Sequence, residues 1–235
     1  MFGSVMKKSS ATTLWLLLAA VMPIDGQSPN PQSYPFAPYP VEGLYKGRTA
    51  TPKLFTARDG AFRFVYPADF QVCTGGKVDP CNQSFIPVCE SDSFVCVVYP
   101  TEGFKNTSFG AASFQVREIL TEQEMMTANV CVTPYPRKDG DSRWLEFLIS
   151  AEHPDEMIGG VEFVHGVSGG AATGHSSAID LYRTFHKQRC FELSVSETGA
   201  NPNLADPPLK TLTPAQQQKL DRTMSDTLHS FRFIK

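Results

Sequence analysis

The segment AIDLYRTFHKQRCFELSV, residues 178–195, decides the fold. Its two arms, AIDLYRTF (178–185) and CFELSV (190–195), mix apolar, β-branched and aromatic residues with polar ones, which is typical of strands with one buried face. Both arms are therefore predicted to be strands of a sheet with one face on a core.

Further strand patterns precede this segment and extend the predicted sheet. AFRFVYP (61–67) places Phe62, Phe64 and Tyr66 on one face, and FVCVVYP (94–100) is apolar on both faces, as expected for a central strand. Together these segments predict a sheet that packs one face on a core. Three more segments show strand patterns: SFQVREIL (113–120), WLEFLIS (144–150) and VEFVH (161–165).

Two helices are predicted from signals at their amino-terminal ends. Thr121-Glu-Gln-Glu124 is a capping box and predicts a short helix to about Asn129. Thr213-Pro-Ala-Gln216 is a second capping box, with proline at the first helical position. Behind it, apolar residues recur every four positions, as on the buried stripe of a helix. They are Leu220, Met224 and Leu228.

The stretch HGVSGGAATGHS (165–176) resembles the glycine-framed serine of a trypsin-type protease, with Ser168 as the nucleophile. Because it lies between two predicted strands and is rich in glycine, we predict a hairpin loop instead. A trypsin-like serine needs a histidine and an aspartate from earlier in the chain. Besides His165, the only upstream histidine is His153, and Val167 stands where the protease pattern has aspartate. A serine hydrolase using Ser168 with His153 or His175 is thus an alternative hypothesis.

Histidines and carboxylates supply two further candidate sites. Four histidines could gather near one end of the sheet, but no pair has the i, i+4 spacing of a helical metal site. The four are His153, His165, His175 and His186. A metal-binding protein using His153, His165 or His175 is a second alternative hypothesis. The acidic residues of the strands are expected on a solvated face rather than in an acid–base pair. They are Glu146, Glu162, Asp180 and Glu192, and we assign no catalytic, cofactor-binding or metal-binding residue from the sequence.

The amino-terminal region is predicted to lie outside the folded domain. Residues 1–26 place Lys7 and Lys8 before an apolar run that breaks at Pro23, which is the order of a secretory signal peptide. The run is too short for an ordinary membrane span, and an uncleaved anchor is the alternative. Residues 27–52 carry frequent prolines and predict an extended linker. We expect one domain over 53–235, secreted or periplasmic, with no stable membrane span after the leader is removed.

Composition and cysteine count narrow the function further. The chain of 235 residues has a net charge of -3 and no run of basic residues longer than two, so we expect no nucleic-acid partner. Its even number of cysteines suits an oxidising compartment, and the absence of CxxC and HxxxH spacings argues against structural zinc. Six cysteines can pair in 15 ways. We favour a Cys131–Cys190 bond with local pairing of Cys73, Cys81, Cys89 and Cys96.

Taken in order, five segments resemble the PsbP-like fold, which is shared by photosystem PsbP proteins, Ran-binding Mog proteins and exported bacterial proteins. The marks are an opening aromatic strand that ends in Tyr-Pro, a long late hairpin, and a final helix that ends in Ser-Phe-Arg. The cysteines depart from the family, so the chain resembles a secreted branch. The segments are GAFRFVYPADF (60–70), SFGAASFQV (108–116), RWLEFLIS (143–150), AIDLYRTFHKQRCFELSV (178–195) and TLHSFRF (227–233).

The resemblance implies a single α+β domain in which helices flank a central antiparallel sheet as an α/β/α sandwich. It also implies a module that assists or binds, with no cofactor and no catalytic residue to carry over. The leading hypothesis is an exported, disulfide-stabilised module that binds another envelope or extracellular protein, or a small ligand. Mobile loops on a rigid sheet commonly carry recognition, so the hairpin tip (166–177) and the linker (27–52) are the expected contact segments.

Overall fold

Strands dominate the computed structural model, which describes residues 51–75, 77, 81–82, 87–119, 127–132, 148–149, 155–205 and 207–234. These residues belong to one compact unit, Phe36–Lys235. The signal peptide (1–26) and all but the last two residues of the linker (27–52) lie outside them and stay predictions. The elements are β1 (Pro52–Thr56), β2 (Phe62–Pro67), β3 (Gln71–Thr74), β4 (Ser93–Val98), β5 (Phe109–Glu118), α1 (Ala128–Val132), β6 (Leu148–Ile149), β7 (Glu156–Ile158), β8 (Val161–Ala172), β9 (His175–His186), β10 (Arg189–Ala200), α2 (Pro214–His229) and β11 (Arg232–Phe233).

The strands form two antiparallel sheets. A small sheet has the order β1-β2-β11, and a large sheet has the order β3-β4-β5-β10-β9-β8-β6, with β7 also paired to β8. The centre of the large sheet is β10, which pairs with β5 on one side and with β9 on the other along most of its length. The late hairpin predicted from 178–195 is therefore the middle of the sheet.

The predicted α/β/α sandwich is wrong. In the part of the chain that the structure describes, α2 is the only α-helix longer than the five residues of α1, and most residues lie in the two sheets. The first capping box, 121–124, lies outside the described residues, and Thr127 is not helical although the predicted helix would include it. The physical reason is that only the second capping box is followed by an apolar stripe long enough to cover a sheet face.

The main core lies between one face of the large sheet and a layer made of α2 and the small sheet. The predicted apolar face of β2 is confirmed, because Phe62, Phe64 and Tyr66 are all buried. Their rings contact the large sheet: the Phe64 and Phe114 ring centroids are 5.0 Å apart, and those of Phe62 and Phe191 are 6.3 Å apart. Helix α2 adds Leu220, Met224 and Leu228, the three residues that the periodicity predicted.

Helix α2 begins at the predicted capping box. The Thr213 hydroxyl accepts a hydrogen bond from the Gln216 amide at 3.3 Å, and the Gln216 side chain accepts one from the Thr213 amide at 2.9 Å. The helix ends at His229, and the next residue fastens it to the small sheet. There the Ser230 hydroxyl accepts a hydrogen bond from the Val65 amide at 2.8 Å. The helix is thus fixed at both ends.

The predicted loop over residues 166–177 is wrong, because strands occupy nearly all of it. β8 continues to Ala172 and β9 begins at His175, so the connection is the two-residue turn Thr173-Gly174 with φ of 48° and 81°. Positive φ at both positions suits a tight hairpin. Within β8, a Cβ atom on Gly169 would lie 2.5 Å from the Ser177 carbonyl oxygen. Some of the glycines therefore permit close strand contact rather than a flexible loop.

Three disulfides close the fold. They join Cys73 to Cys81, Cys89 to Cys96, and Cys131 to Cys190. The Cys131–Cys190 bond, the pairing favoured from the sequence, fastens α1 to the start of β10. Within the described ranges, no helix is long and apolar enough to cross a membrane.

The three disulfides should differ in their contribution to stability. Cys131 and Cys190 are 59 residues apart and Cys73 and Cys81 only 8, so the longer loop restricts the unfolded chain more. We expect the double change Cys131→Ser/Cys190→Ser to lower the free energy of unfolding by about 4 kcal/mol, against about 2.5 kcal/mol for Cys73→Ser/Cys81→Ser. Urea unfolding of both variants measures this, and an equal loss in the two would contradict it.

Candidate functional site

Each face of the large sheet carries a cluster of polar residues. Strand register assigns them, because neighbouring residues of a strand point to opposite faces. Tyr182 is opposite the core residue Leu193, so it faces α2, whereas Arg183 is opposite Glu192 on the other face. The sheet therefore separates two groups of charged side chains.

On the α2 side lies a group that we call the histidine cluster: Glu156, His165, Asp180, Tyr182 and His229. The His165 Nε2 atom is 2.8 Å from the Asp180 Oδ1 atom. The His165 ring stacks on the Tyr182 ring, with centroids 4.4 Å apart and planes 6° from parallel. Strands β8 and β9 bring these residues together, since His165 and Tyr182 are register partners. Thus one predicted candidate histidine meets one predicted candidate carboxylate.

The second histidine of the cluster joins α2 to β7. His229 is the last residue of α2, and its Nε2 atom contacts the Glu156 Oε1 atom while its Nδ1 atom is 2.8 Å from the Ser225 carbonyl oxygen. Burial by itself lowers the pKa of His229. The hydrogen bonds to Glu156 and Ser225 and the negative charges of Glu156 and Asp226 together have a larger, opposite effect, so the pKa is raised.

Tyr182 lies among the charges of the histidine cluster. Burial and then the negative charges of Asp180 and Glu156 raise the pKa of Tyr182 well above its ordinary value. The side chain is therefore a neutral phenol over the physiological range, unsuited to act as a phenolate base. His229, whose pKa is raised, is the group of this cluster that is placed to hold a proton near neutrality.

On the opposite face, Glu192 holds two arginines. Its Oε1 atom accepts a hydrogen bond from Arg117 Nε and its Oε2 atom from Arg183 Nε, both at 2.6 Å. The prediction of a solvated acidic face is wrong for Glu192, which is only 1% exposed. Glu162 is exposed, as predicted; Asp180 is partly buried, and Glu146 lies outside the described residues.

The reason for this burial is a covering segment that strand patterns do not reveal. The Ser113 hydroxyl donates to the Val88 carbonyl oxygen at 2.6 Å, and the Glu90 amide donates to the Gln115 side chain at 2.9 Å. Residues next to the Cys89–Cys96 disulfide thus lie over the second face of the sheet. The sequence analysis did not single out Arg117. The signal that could have found it is its place on β5, where it follows the polar residues 113 and 115 on the same face of the strand.

Two carboxylates that the sequence did not suggest lie between β10 and α2. The Gln217 Nε2 atom donates to Glu197 Oε2 at 3.1 Å and to Asp221 Oδ1 at 2.8 Å. Burial raises the pKa of both carboxyls, although the hydrogen bond from Gln217 opposes it. These groups therefore favour the folded state in acid, and that contribution is lost as the pH rises through their folded pKa values.

The structure does not bring Ser168 to a described histidine. Ser168 is a strand residue opposite Ile179, whereas His175 is opposite Ala172, four positions further along β8. At 3.3 Å per residue the separation is about 13 Å. His165 precedes Ser168 by three positions and therefore points to the other face of the sheet. His153 lies outside the described residues.

The predicted metal histidines are also far apart. His175 and His186 are the two ends of β9, about 36 Å apart at the rise of an extended strand. His165 faces α2, while His175 belongs to the opposite face. Over the ranges that the structure describes, no three His, Cys, Asp or Glu side chains are grouped to hold a metal ion.

No family model matches the chain, and no curated protein matches it in sequence. Among solved structures, LpqN, involved in cell envelope biogenesis of Mycobacterium tuberculosis, is 9% identical with a TM-score of 0.37, over 81% of this chain and 88% of that one. The PsbP protein CyanoP of Synechocystis is 10% identical with a TM-score of 0.30, over 80% and 96%. The Ran-binding protein Mog1p of Saccharomyces cerevisiae is 11% identical with a TM-score of 0.31, over 78% and 96%.

Two of these structures come from the protein groups that the sequence segments resembled. The resemblance to PsbP-like proteins is therefore confirmed as a resemblance. At these identities and TM-scores it carries no argument about what this chain does.

The buried arginine–glutamate group gives a stability prediction. Glu192→Gln would leave Arg117 and Arg183 largely buried without their shared carboxylate, so we expect the free energy of unfolding to fall by about 3 to 5 kcal/mol. Urea unfolding at neutral pH measures the loss. Glu162→Gln is the matched control, because Glu162 is an exposed glutamate on strand β8 of the same sheet and its change should cost less than about 0.5 kcal/mol. Equal effects of the two changes would contradict the buried group.

Proposed function

We propose that this chain is an exported, non-enzymatic accessory module that binds another envelope or extracellular protein, or a small ligand. The observation that carries the proposal is the exposed far end of β8 and β9. We call it the tip surface: residues 169–173 together with Leu204. All six residues are exposed, none is charged, and Leu204 is 70% exposed. A patch of exposed apolar and uncharged residues is typical of contact surfaces.

The tip surface is held in place by the chain around it. The Asn201 amide donates to the Gly174 carbonyl oxygen at 2.6 Å, at the turn between β8 and β9. The Leu204 Cδ1 atom lies 2.7 Å from the position that a Cβ atom on Gly174 would occupy. A surface that is already ordered before binding loses less conformational entropy when a partner docks. This supports recognition by the end of the hairpin, the segment that the sequence suggested.

Two further features support the non-enzymatic, exported part of the proposal. Ser168 lies apart from His165 and His175, so no base is placed to activate it among the described histidines. Three disulfides are compatible with an oxidising, extracytoplasmic compartment, as the predicted signal peptide requires. The linker, 27–52, is the second proposed contact segment.

Site-specific crosslinking tests the tip surface. A photoactivatable amino acid in place of Leu204 should give a discrete crosslinked product when the full chain is expressed and exported by its own host. The same amino acid in place of Leu54 is the control, because Leu54 is also an exposed leucine, at 59%, but lies on β1 of the small sheet. Products from Leu54 alone, or identical products from both positions, would contradict the proposal.

Ser168 provides a separate test of the absence of catalysis. The folded protein should show no labelling of Ser168 by a broad fluorophosphonate probe, because the serine lies on a strand without a described base. Intact mass spectrometry after incubation with the probe measures this. A probe adduct that disappears in Ser168→Ala would instead favour the serine hydrolase.

A further inference from the structure

We propose that His229 and Glu156 form a pH-responsive catch, which fixes strand β7 to the end of α2 in acid and loosens it as the pH rises. This inference concerns the histidine cluster and does not depend on the proposed binding function. It adds a conformational response at the β7 edge of the large sheet.

The geometry around the His229 ring favours a protonated imidazole. The Nδ1 atom is 2.8 Å from the Ser225 carbonyl oxygen, and the Nε2 atom contacts a carboxylate oxygen of Glu156. Both of these partners only accept hydrogen bonds, so the two contacts are made together only when both ring nitrogens donate, and an imidazole with two N–H groups is the cation. The ring is also at the carboxyl end of α2, where the helix dipole favours a positive charge.

Loss of the proton weakens the catch without removing every contact. The Ser225 hydroxyl is 3.2 Å from Nδ1 and can donate to that nitrogen once it has lost its hydrogen. The Nε2 hydrogen can then still reach Glu156. What disappears is the attraction between the imidazolium and the carboxylate, in a site where His229 and Glu156 are only 11% and 24% exposed. Charge attraction is stronger there than in water.

Taken together, the charged groups around His229 favour its protonated, cationic form. Asp226 on α2 and Glu156 on β7 are the negative groups that raise the pKa of His229. On the sheet, Tyr182 of β9 is neutral and Asp180 is paired with His165 of β8. Arg232, just beyond the helix, donates to the His229 carbonyl oxygen and is the nearby positive group.

The sign of the pH dependence follows from the raised pKa of His229. A histidine that binds its proton more tightly in the folded state stabilises that state at pH values below its unfolded pKa, about 6.5. The contribution is lost as the pH rises through the folded pKa. The catch is therefore closed in mildly acidic conditions and weakest above neutrality.

Strand β7 is the element that the catch controls. It has three residues: Ile158 is buried in the core, Met157 is 62% exposed, and Glu156 is held by His229. β7 pairs with β8 at Val161–Phe163, so it covers backbone groups on that part of β8. When Glu156 is released, β7 keeps its buried residue Ile158 and its short ladder with β8 but loses its side-chain link to α2. Loosening β7 would thus uncover a strand edge, which is a site where other strands can add.

Amide hydrogen exchange of the full chain tests the catch directly. Exchange rates at Glu156, Met157 and Ile158, corrected for the intrinsic effect of pH, should rise on the order of tenfold between about pH 5.5 and pH 8.5. Amides in the centre of β10 serve as the internal control and should change less. Corrected β7 rates that do not depend on pH would overturn the proposal, and this experiment needs no variant.

Two variants identify the groups responsible. Glu156→Gln keeps the size of the side chain but removes its charge, so the pH dependence at β7 should largely disappear while the sheet remains folded. His175→Gln is the matched control, because His175 is opposite Ala172 at the far end of β8, nine residues beyond Phe163, the register partner of Glu156. Its loss should leave the β7 response intact. A Glu156→Gln protein with the wild-type pH dependence would overturn the assignment to this pair.

Discussion

Burial of β10 on both faces is the constraint on which the rest of the structure depends. One face of the strand carries Phe191, Leu193 and Val195 into the main core under α2 and the small sheet. The other face carries Glu192, which is buried as well, and a buried carboxylate is costly unless charged partners surround it. Arg117 on β5 and Arg183 on β9 supply those partners from the two neighbouring strands. The central strand therefore fixes the register of both neighbours through charge as well as through the backbone ladder.

A sheet buried on both faces needs two covers, and the chain makes them in different ways. The core side is covered by α2, which has an apolar stripe and a capping box. The other side is covered by the segment around Val88, held down by hydrogen bonds to Ser113 and Gln115. Val88 packs in a second buried cluster with Val98, Ala111 and the cysteines of the Cys89–Cys96 and Cys73–Cys81 disulfides, which hold the segment in place. On this face, disulfides hold a covering segment at the position where an α/β/α sandwich has a second helix layer.

The sequence predicted best the elements whose local pattern matches their final environment. β2 has one buried face and alternates, and α2 has its cap and its stripe, so both could be recognised. The position of Glu192 could not, because a polar residue in an alternating strand has the same pattern whether that face meets water or a covering segment. The loop prediction made from the glycines of 166–174 was wrong for a related reason. A glycine that allows close contact inside a strand looks the same in sequence as one that forms a loop.

Candidate sites were harder to predict than elements because they join residues that are distant in sequence. His165 and Asp180 meet through one hairpin, and both were among the candidates. His229 meets Glu156 across 73 positions, and nothing in either local sequence connects them. Such a pair becomes visible only when the register of β7 on β8 and the end of α2 are both known.

The tip surface and the catch lie at opposite ends of strand β8. Glu156 is the register partner of Phe163, and the exposed end of β8 is Ala172, nine residues further on. This is about 30 Å along an extended strand. Sites at that distance with no shared partners respond to substitutions independently. A change at Leu204 that alters binding should therefore leave the β7 exchange rates untouched. If the two did respond together, the continuous ladder from β8 to β10 would have to have two arrangements rather than one.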